Sequence, residues 1–403
     1  MKSRKIIRYS ARYSKKARTR RFILNLLLVL LIIAVVASLA LIVTGYVIDD
    51  SSKPASSDSS ISDTTSSDIS QDVSSDTSDT PASEPSDTSS GGSDTSSASE
   101  PVSEPEQQEL TGAITMPIET ILSDAKRAAF LESAAENGYQ AVVFEAKNTK
   151  GNILYNTEIE LAARCGAVSA NAFDLTALVD EIKGHGLKAV AMMSALQDPI
   201  AAHTDYGTSY TYGDSTYTWL DNSVDRGGKA WMNPYLENTQ RYLNDITAEL
   251  ADAGCDSIIV TKLRFPTAYT SKLNQGKSDV SRQDMLSTIC KNMQTVAGDC
   301  NMIFCFDAES YFGQNTDQYD GDPSGIADLG TVAPYIELTA LKKAEKFADV
   351  DMTKLTAENV EIVLKQLKKK CPDAAIVPIF ADEIPDEVIA LLEQYEITMY
   401  VKA

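Results

Sequence analysis

The feature that most constrains the fold is a rhythm. From about Leu110 onward, short apolar runs recur: "GAITMP" (112–117), "AVVFEAK" (141–147), "LKAVAMMSAL" (187–196) and "SIIVTKL" (257–263). Then come "NMIFCFD" (301–307), "APYIEL" (333–338), "AAIVPIF" (374–380) and "TMYVKA" (398–403). They are apolar on both faces, which is how strands read when a parallel sheet is covered by helices. Helical patterns lie between most of them, among them "ILSDAKRAAFLESAAENG", "AFDLTALVDEIKGHG", "PYLENTQRYLNDITAELADAG" opening at Pro234, and "TAENVEIVLKQLKKK". The last begins at Thr356, a capping residue, and ends in lysines that suit a helix C-terminus. Eight such units predict a TIM (β/α)8 barrel over 109–403. The alternative is an open doubly wound sheet. The barrel is preferred because no Gly-rich phosphate loop follows the first strand, and no cofactor is expected.

The chain before the barrel is of another kind. Ten Lys and Arg lie between Lys2 and Arg21, with no acidic residue among them. Phe22 to Ile48 carries no charge. That run exceeds the roughly 20 residues that span a bilayer and is too long for the apolar core of a cleaved signal peptide. It is therefore expected to be a transmembrane signal anchor, with 1–21 a cytoplasmic tail and the remainder extracytoplasmic. The stretch 49–108 is almost wholly Ser, Asp, Thr, Pro and Glu. It lacks the apolar surface to offset the entropy of ordering and is expected to be a disordered spacer, spanning roughly 40 Å as a coil.

Charge and cysteine content narrow the partners. The whole chain has a formal net charge of −21, and the part after the spacer is about −17 by count. An acidic extracytoplasmic domain is a poor match for nucleic acid. The six cysteines, at 165, 255, 290, 300, 305 and 371, form no Cys-x-x-Cys pair, and the only histidines are His185 and His203. A zinc site is not expected. Cys255 and Cys305 read as buried thiols; a Cys290–Cys300 bridge is compatible with the spacing and the compartment.

In a TIM barrel the chemistry sits at the C-terminal strand ends. That rule selects Glu145, Lys147 and Asn148 after the second strand, and Gln197 and Asp198 after the third. It selects Thr261, Lys262 and Arg264 after the fourth, Asp307 and Glu309 after the fifth, Glu337 after the sixth, and Asp382 after the seventh. Carboxylates converging on one mouth are what glycoside cleavage needs: a proton donor and a nucleophile or base. Salt bridges at the rim would use the same residues. The segment 197–233 carries Tyr206, Tyr210, Tyr212, Tyr217, Trp219 and Trp231. Such rings either stack on sugar or pack together as the core of a lid.

The order of these stretches resembles the bacterial putative glycosyl hydrolase domain family, TIM-barrel relatives of the alpha-amylase-like hydrolases. "AVVFEAKNTKG" (Ala141 to Gly151) corresponds to a family pattern "AVVIDVKDDDG", and "ALQDPIAA" matches an Asp-Pro step through Asp198 and Pro199. "WMNPY" from Trp231 corresponds to "W-x-DPY", and "DAESYFG" resembles "SADVFG". "APYIELT" corresponds to "PMVYPS". "GCDSIIVTKLRFP" (Gly254 to Pro266) corresponds to "GFDEIQFDYIRFP", whose Arg-Phe-Pro ending is the most specific part of the likeness. The resemblance implies a glycan groove that keeps Trp231 and Arg264.

It also marks departures. The family's fourth-strand Asp and Tyr fall at Thr261 and Lys262, its second-strand Asp at Glu145, and its fifth-strand Asp at Ser310. Threonine is a weak nucleophile without an activating base. One reading is an enzyme with a rearranged catalytic set drawn from Glu145, Asp307 and Glu309. Its ligand contacts would come from Lys147, Asp198, Trp219, Trp231, Thr261, Lys262, Arg264, Glu337 and Asp382. A second is a barrel that binds a polysaccharide or cell-wall glycan without cutting it, and a third is an envelope scaffold. The topology is testable: protease added to intact cells, once any outer barrier is removed, is expected to release the domain by cutting within 49–108. A spacer protected until lysis would refute the anchor.

Overall fold

The computed structural model describes residues 111–268, 272–342 and 354–403. The expected tail 1–21, span 22–48 and spacer 49–108 lie outside the described residues.

Eight parallel strands form the barrel: β1 Thr111–Met116, β2 Ala141–Lys147, β3 Lys188–Ser194, β4 Ser257–Thr261 and β5 Asn301–Asp307. They continue with β6 Thr331–Ile336, β7 in two pieces (Ala375–Ile376 and Ile379–Phe380) and β8 Met399–Lys402. Each pairs with its neighbour in order. β8 returns to β1, with Val401 opposite Ala113. The break in β7 falls at Pro378, which has no N–H to give the ladder.

Two apolar clusters result. A small one fills the barrel interior and includes Ala113, Val143, Ile259, Ile303, Cys305 and Val401. The larger one lies between the outer strand faces and the helices. Because side chains alternate along a strand, the interior residues mark which positions look inward.

Six helices of eight or more residues are described: α1 Asp124–Glu136, α2 Leu175–Gly184, α3 Glu237–Asp252, α4 Arg282–Ala297, α5 Ala357–Lys370 and α6 Asp386–Gln394. Local chemistry sets their starts. The side chains of Asp174, Ser281 and Thr356 accept from the backbone N–H groups of Ala177, Asp284 and Asn359. The regular eight-unit pattern is therefore modified. β5 and β6 are joined by 3-10 turns at Ala308–Phe312, Thr316–Gln318 and Pro323–Gly325, and no α-helix is described there. Helix α3 starts at Glu237, three residues later than its Pro234 signal, after a turn in which Tyr235 N–H donates to the Asn233 side chain. All six cysteines are free thiols, so the Cys290–Cys300 bridge is absent.

One buried ion pair ties the strand ends together. In β2, Glu145 pairs with Met192 but Lys147 with Met193, so Ala146 is an extra, unopposed residue. The bulge turns Lys147 away from the interior and toward the helix layer, where Nζ donates to Ser194 O at 2.7 Å and lies 6.0 Å from the Tyr242 ring centre. Nζ is also 3.0 Å from Asp198 Oδ2, with both side chains 0% exposed. That contact has the distance of an ion pair without the alignment of a hydrogen bond, since Oδ2 accepts none. Asp198 Oδ1 accepts from Ala201 N–H at 2.9 Å, opening the short helix Pro199–Thr204. Gly151 is required beside it: its φ is +87°, and a Cβ there would sit 2.3 Å from Asp198 Oδ1. Lys147→Ala is expected to destabilise the fold by about 3–5 kcal/mol in denaturant titration, because it strands a buried carboxylate. Lys147→Met with Asp198→Asn is expected to regain most of that loss.

Candidate active site at the barrel mouth

Alternation carries four polar residues to the inner face at the C-terminal end. Glu145 follows Val143, Thr261 follows Ile259, Asp307 follows Cys305 and Glu337 follows Tyr335, each two residues on. Thr115 occupies the same place on β1, and its buried hydroxyl makes no hydrogen bond. Thr261 Oγ1 donates to Met193 O at 3.3 Å.

Lys262 would point outward by alternation, but its backbone is left-handed, with φ 55°. For a non-glycine residue this costs roughly 1–3 kcal/mol. Backbone bonds hold the turn: Ala195 N–H donates to Thr261 O at 2.8 Å and Leu196 N–H to Lys262 O at 3.2 Å. The ammonium then reaches Asp307, with Nζ to Oδ1 3.8 Å. A cation thus stands at the end of β4, facing the carboxylate of β5.

Glu309 lies in the 3-10 turn that follows β5. Burial raises its carboxyl above the usual carboxylate range, and the charges of Asp307 and Glu337 push the same way. A hydrogen bond from its own backbone N–H and the Lys262 charge oppose them. Ser310, the position aligned with the family's Asp, is fully buried, so the turn presents Asp307 and Glu309 instead. Glu145 is also raised, by burial, with only Lys150 opposing. The phenol of Tyr335 is raised by burial and by Glu337, Cys305, Asp307 and Asp382, which places it among these acids. Asp382 is on the exposed rim. Tyr335 and Thr115 carry no charge and so do not stand out in sequence among the strand ends, although alternation counted back from Glu337 reaches Tyr335.

Several expected ligand contacts have other surroundings. Lys147 and Asp198 have no surface to offer a ligand, being consumed by the pair described above. Trp219 is fully buried and meets Tyr210 edge-on at 6.2 Å, so it is core of the loop and no stacking platform. Trp231 is 3% exposed. Its ring carries the Arg264 guanidinium 4.9 Å from the centroid, and its Nε1 donates to Asp221 Oδ2 at 2.9 Å. Tyr206, Tyr212 and Tyr217 are the exposed rings of this loop. Its Thr211–Tyr212 segment pairs antiparallel with Leu273–Asn274 from the connection after β4, so the two long loops are stitched together.

A closed parallel barrel whose interior ends in several acids defines a TIM-barrel protein with a polar mouth of the kind sugar-cleaving enzymes use. The chain belongs to the family described as putative glycosyl hydrolase domain, whose model matches residues 113–336. That match spans β1 to β6; β7 and β8, which close the barrel, lie beyond it. Among solved structures, a hypothetical protein from Ruminiclostridium thermocellum ATCC 27405 is similar at 16% identity and TM-score 0.43, covering 47% of this chain and 96% of that one. An alpha-galactosidase from Thermus thermophilus is similar at 10% identity and TM-score 0.46, covering 73% and 58%. The catalytic domain of a beta-amylase from Paenibacillus polymyxa is similar at 10% identity and TM-score 0.45, covering 73% and 92%. No curated protein matches the chain in sequence.

The raised carboxyl of Glu145 has a consequence for stability. A group whose folded pKa lies above its unfolded value favours folding below the unfolded pKa, and that contribution is lost as pH rises through the folded one. Glu145→Gln is therefore expected to melt at a higher temperature than the parent at pH 7–8. The difference should vanish below about pH 4, where both side chains are neutral. An equal difference at both pH values would show that burial of charge is not its cause.

Proposed function

We propose that this protein is a membrane-anchored, extracytoplasmic glycoside hydrolase that cleaves a polysaccharide or cell-wall glycan with a rearranged carboxylate set. The observation that carries the reading is Glu309: a half-buried carboxyl held toward its protonated form, beside Asp307 and Glu337, at the mouth of the barrel. Family membership supports a carbohydrate substrate. The apolar span 22–48 and its basic flank support the anchor.

In this reading Glu309 gives its proton to the leaving glycosidic oxygen. Asp307, beside Lys262, is the partner that attacks the sugar or activates water. Glu145, from the second strand, lies on the same inner face. Thr261 takes no part in bond cleavage, and its hydroxyl is occupied by Met193 O.

The binding-only reading rests on a different observation. The end of β4 carries Thr261 and a cation where the family has Asp and Tyr. The two readings part in a reducing-end release assay with the full-length protein on wall and environmental polysaccharides. Turnover is expected, and Glu309→Gln should lower it by about 10²–10⁴-fold. The rate should fall as pH rises through the raised Glu309 pKa, and that alkaline limb should disappear in the variant. Glycan binding with no turnover, converted to turnover by Thr261→Asp with Lys262→Tyr, would establish the binding-only reading instead.

A further inference from the structure

Residues that follow β3 and β4, Gln197 and Arg264 among them, line a cleft of about 380 Å³, within the roughly 300–1,000 Å³ usual for ligand sites. Its charged lining is Arg226, Lys229, Arg264 and Asp221. We propose that this cleft is a subsite for an anionic group carried on the glycan, a sugar carboxylate or phosphate; the proposal rests on the glycan-groove reading above.

The argument starts from what the cations lack. Among the described residues no carboxylate lies within 4.0 Å of the charged nitrogens of Arg226, Lys229 or Arg264. In a domain of about −17, three unpaired cations lining one cleft stand against the prevailing charge. Asp221, the one acid in the lining, is already engaged: Oδ2 takes the Trp231 indole N–H at 2.9 Å and Oδ1 the Lys229 backbone N–H at 2.7 Å. Arg264 adds a further sign. Its Nε is buried and makes no hydrogen bond, although its guanidinium is held over Trp231. A buried donor left without a partner costs free energy that an incoming acceptor relieves.

The cleft is also built. Asp221 N–H donates to Lys229 O at 2.9 Å, and Gly228 N–H to Ser223 O at 3.1 Å, closing the turn that carries Arg226 and Lys229. Gly228 admits no side chain, since a Cβ would sit 1.9 Å from Asn222 O. Also in the lining, the Gln318 amide donates to Thr267 Oγ1 at 2.8 Å. A forked guanidinium over an indole, with two more cations on a braced turn, is suited to a planar carboxylate or a phosphate.

The test measures equilibrium binding of the full-length protein to three oligosaccharide sets of matched length: uronic-acid, phosphate-bearing and neutral. The acidic sets are expected to bind about tenfold or more tightly than the neutral set, with the advantage shrinking at 0.5 M salt. Whichever acidic set leads names the source of the anion. Arg226→Gln with Lys229→Gln, both on exposed positions, should lower the acidic-to-neutral affinity ratio about tenfold. Neutral glycans binding as well as acidic ones would overturn the subsite and leave the groove standing. A ratio unchanged in the double variant would overturn this assignment of residues. Failure of every glycan to bind would overturn both the subsite and the glycan reading on which it rests.

Discussion

Closure of β8 onto β1 is the constraint from which the rest of the structure follows. An open parallel sheet would leave two edges of unpaired backbone groups; the closed one satisfies both and leaves every strand with an inside and an outside. Once Val401 lies opposite Ala113, the two-residue alternation along each strand decides which terminal side chain looks into the mouth. Glu145, Thr261, Asp307 and Glu337 owe their common face to that rule and to no contact among themselves. The interior is narrow, filled by Ala, Val, Ile and Cys side chains, so acids at its end are drawn partly out of water. Burial is accordingly the largest cause of the raised carboxyls of Glu145 and Glu309.

Two local departures from regular strand geometry shape the site. The bulge at Ala146 takes Lys147 out of the mouth and delivers it to Asp198. The left-handed turn at Lys262 does the reverse, bringing a residue toward Asp307 that alternation would have sent outward. One of these exchanges removes a cation from the mouth and the other supplies one. The mouth thereby gains a lysine facing Asp307 just beyond the end of β4, next to Thr261.

The long loop after β3 adds a second chemistry, on its own turn. Half of its aromatic residues are spent on holding the loop together, through Tyr210 against Trp219 and through Trp231 under Arg264. What it offers outward is the rings of Tyr206, Tyr212 and Tyr217 and the charge on the turn from Asp221 to Lys229. The pairing of Thr211–Tyr212 with Leu273–Asn274 keeps the two long loops in register.

The barrel was legible in the sequence because burial of both strand faces leaves runs of apolar residues that need no tertiary information to see. The helix start at Thr356 was legible because a capping side chain acts on a backbone three residues away. The polar strand ends at Glu145, Asp307 and Glu337 could be counted from the rhythm alone. The sequence did not reveal the fates of Lys147, Asp198, Trp219 and Trp231. A lysine at a strand end reads the same whether it faces solvent or a buried carboxylate, and a tryptophan in a loop reads the same whether it meets sugar or protein. Those outcomes depend on a bulge of one residue and on which side chains a folded loop brings within a few ångströms. Periodicity along the chain determined the scaffold; proximity across it, which no local pattern encodes, decided which polar groups remain free to act.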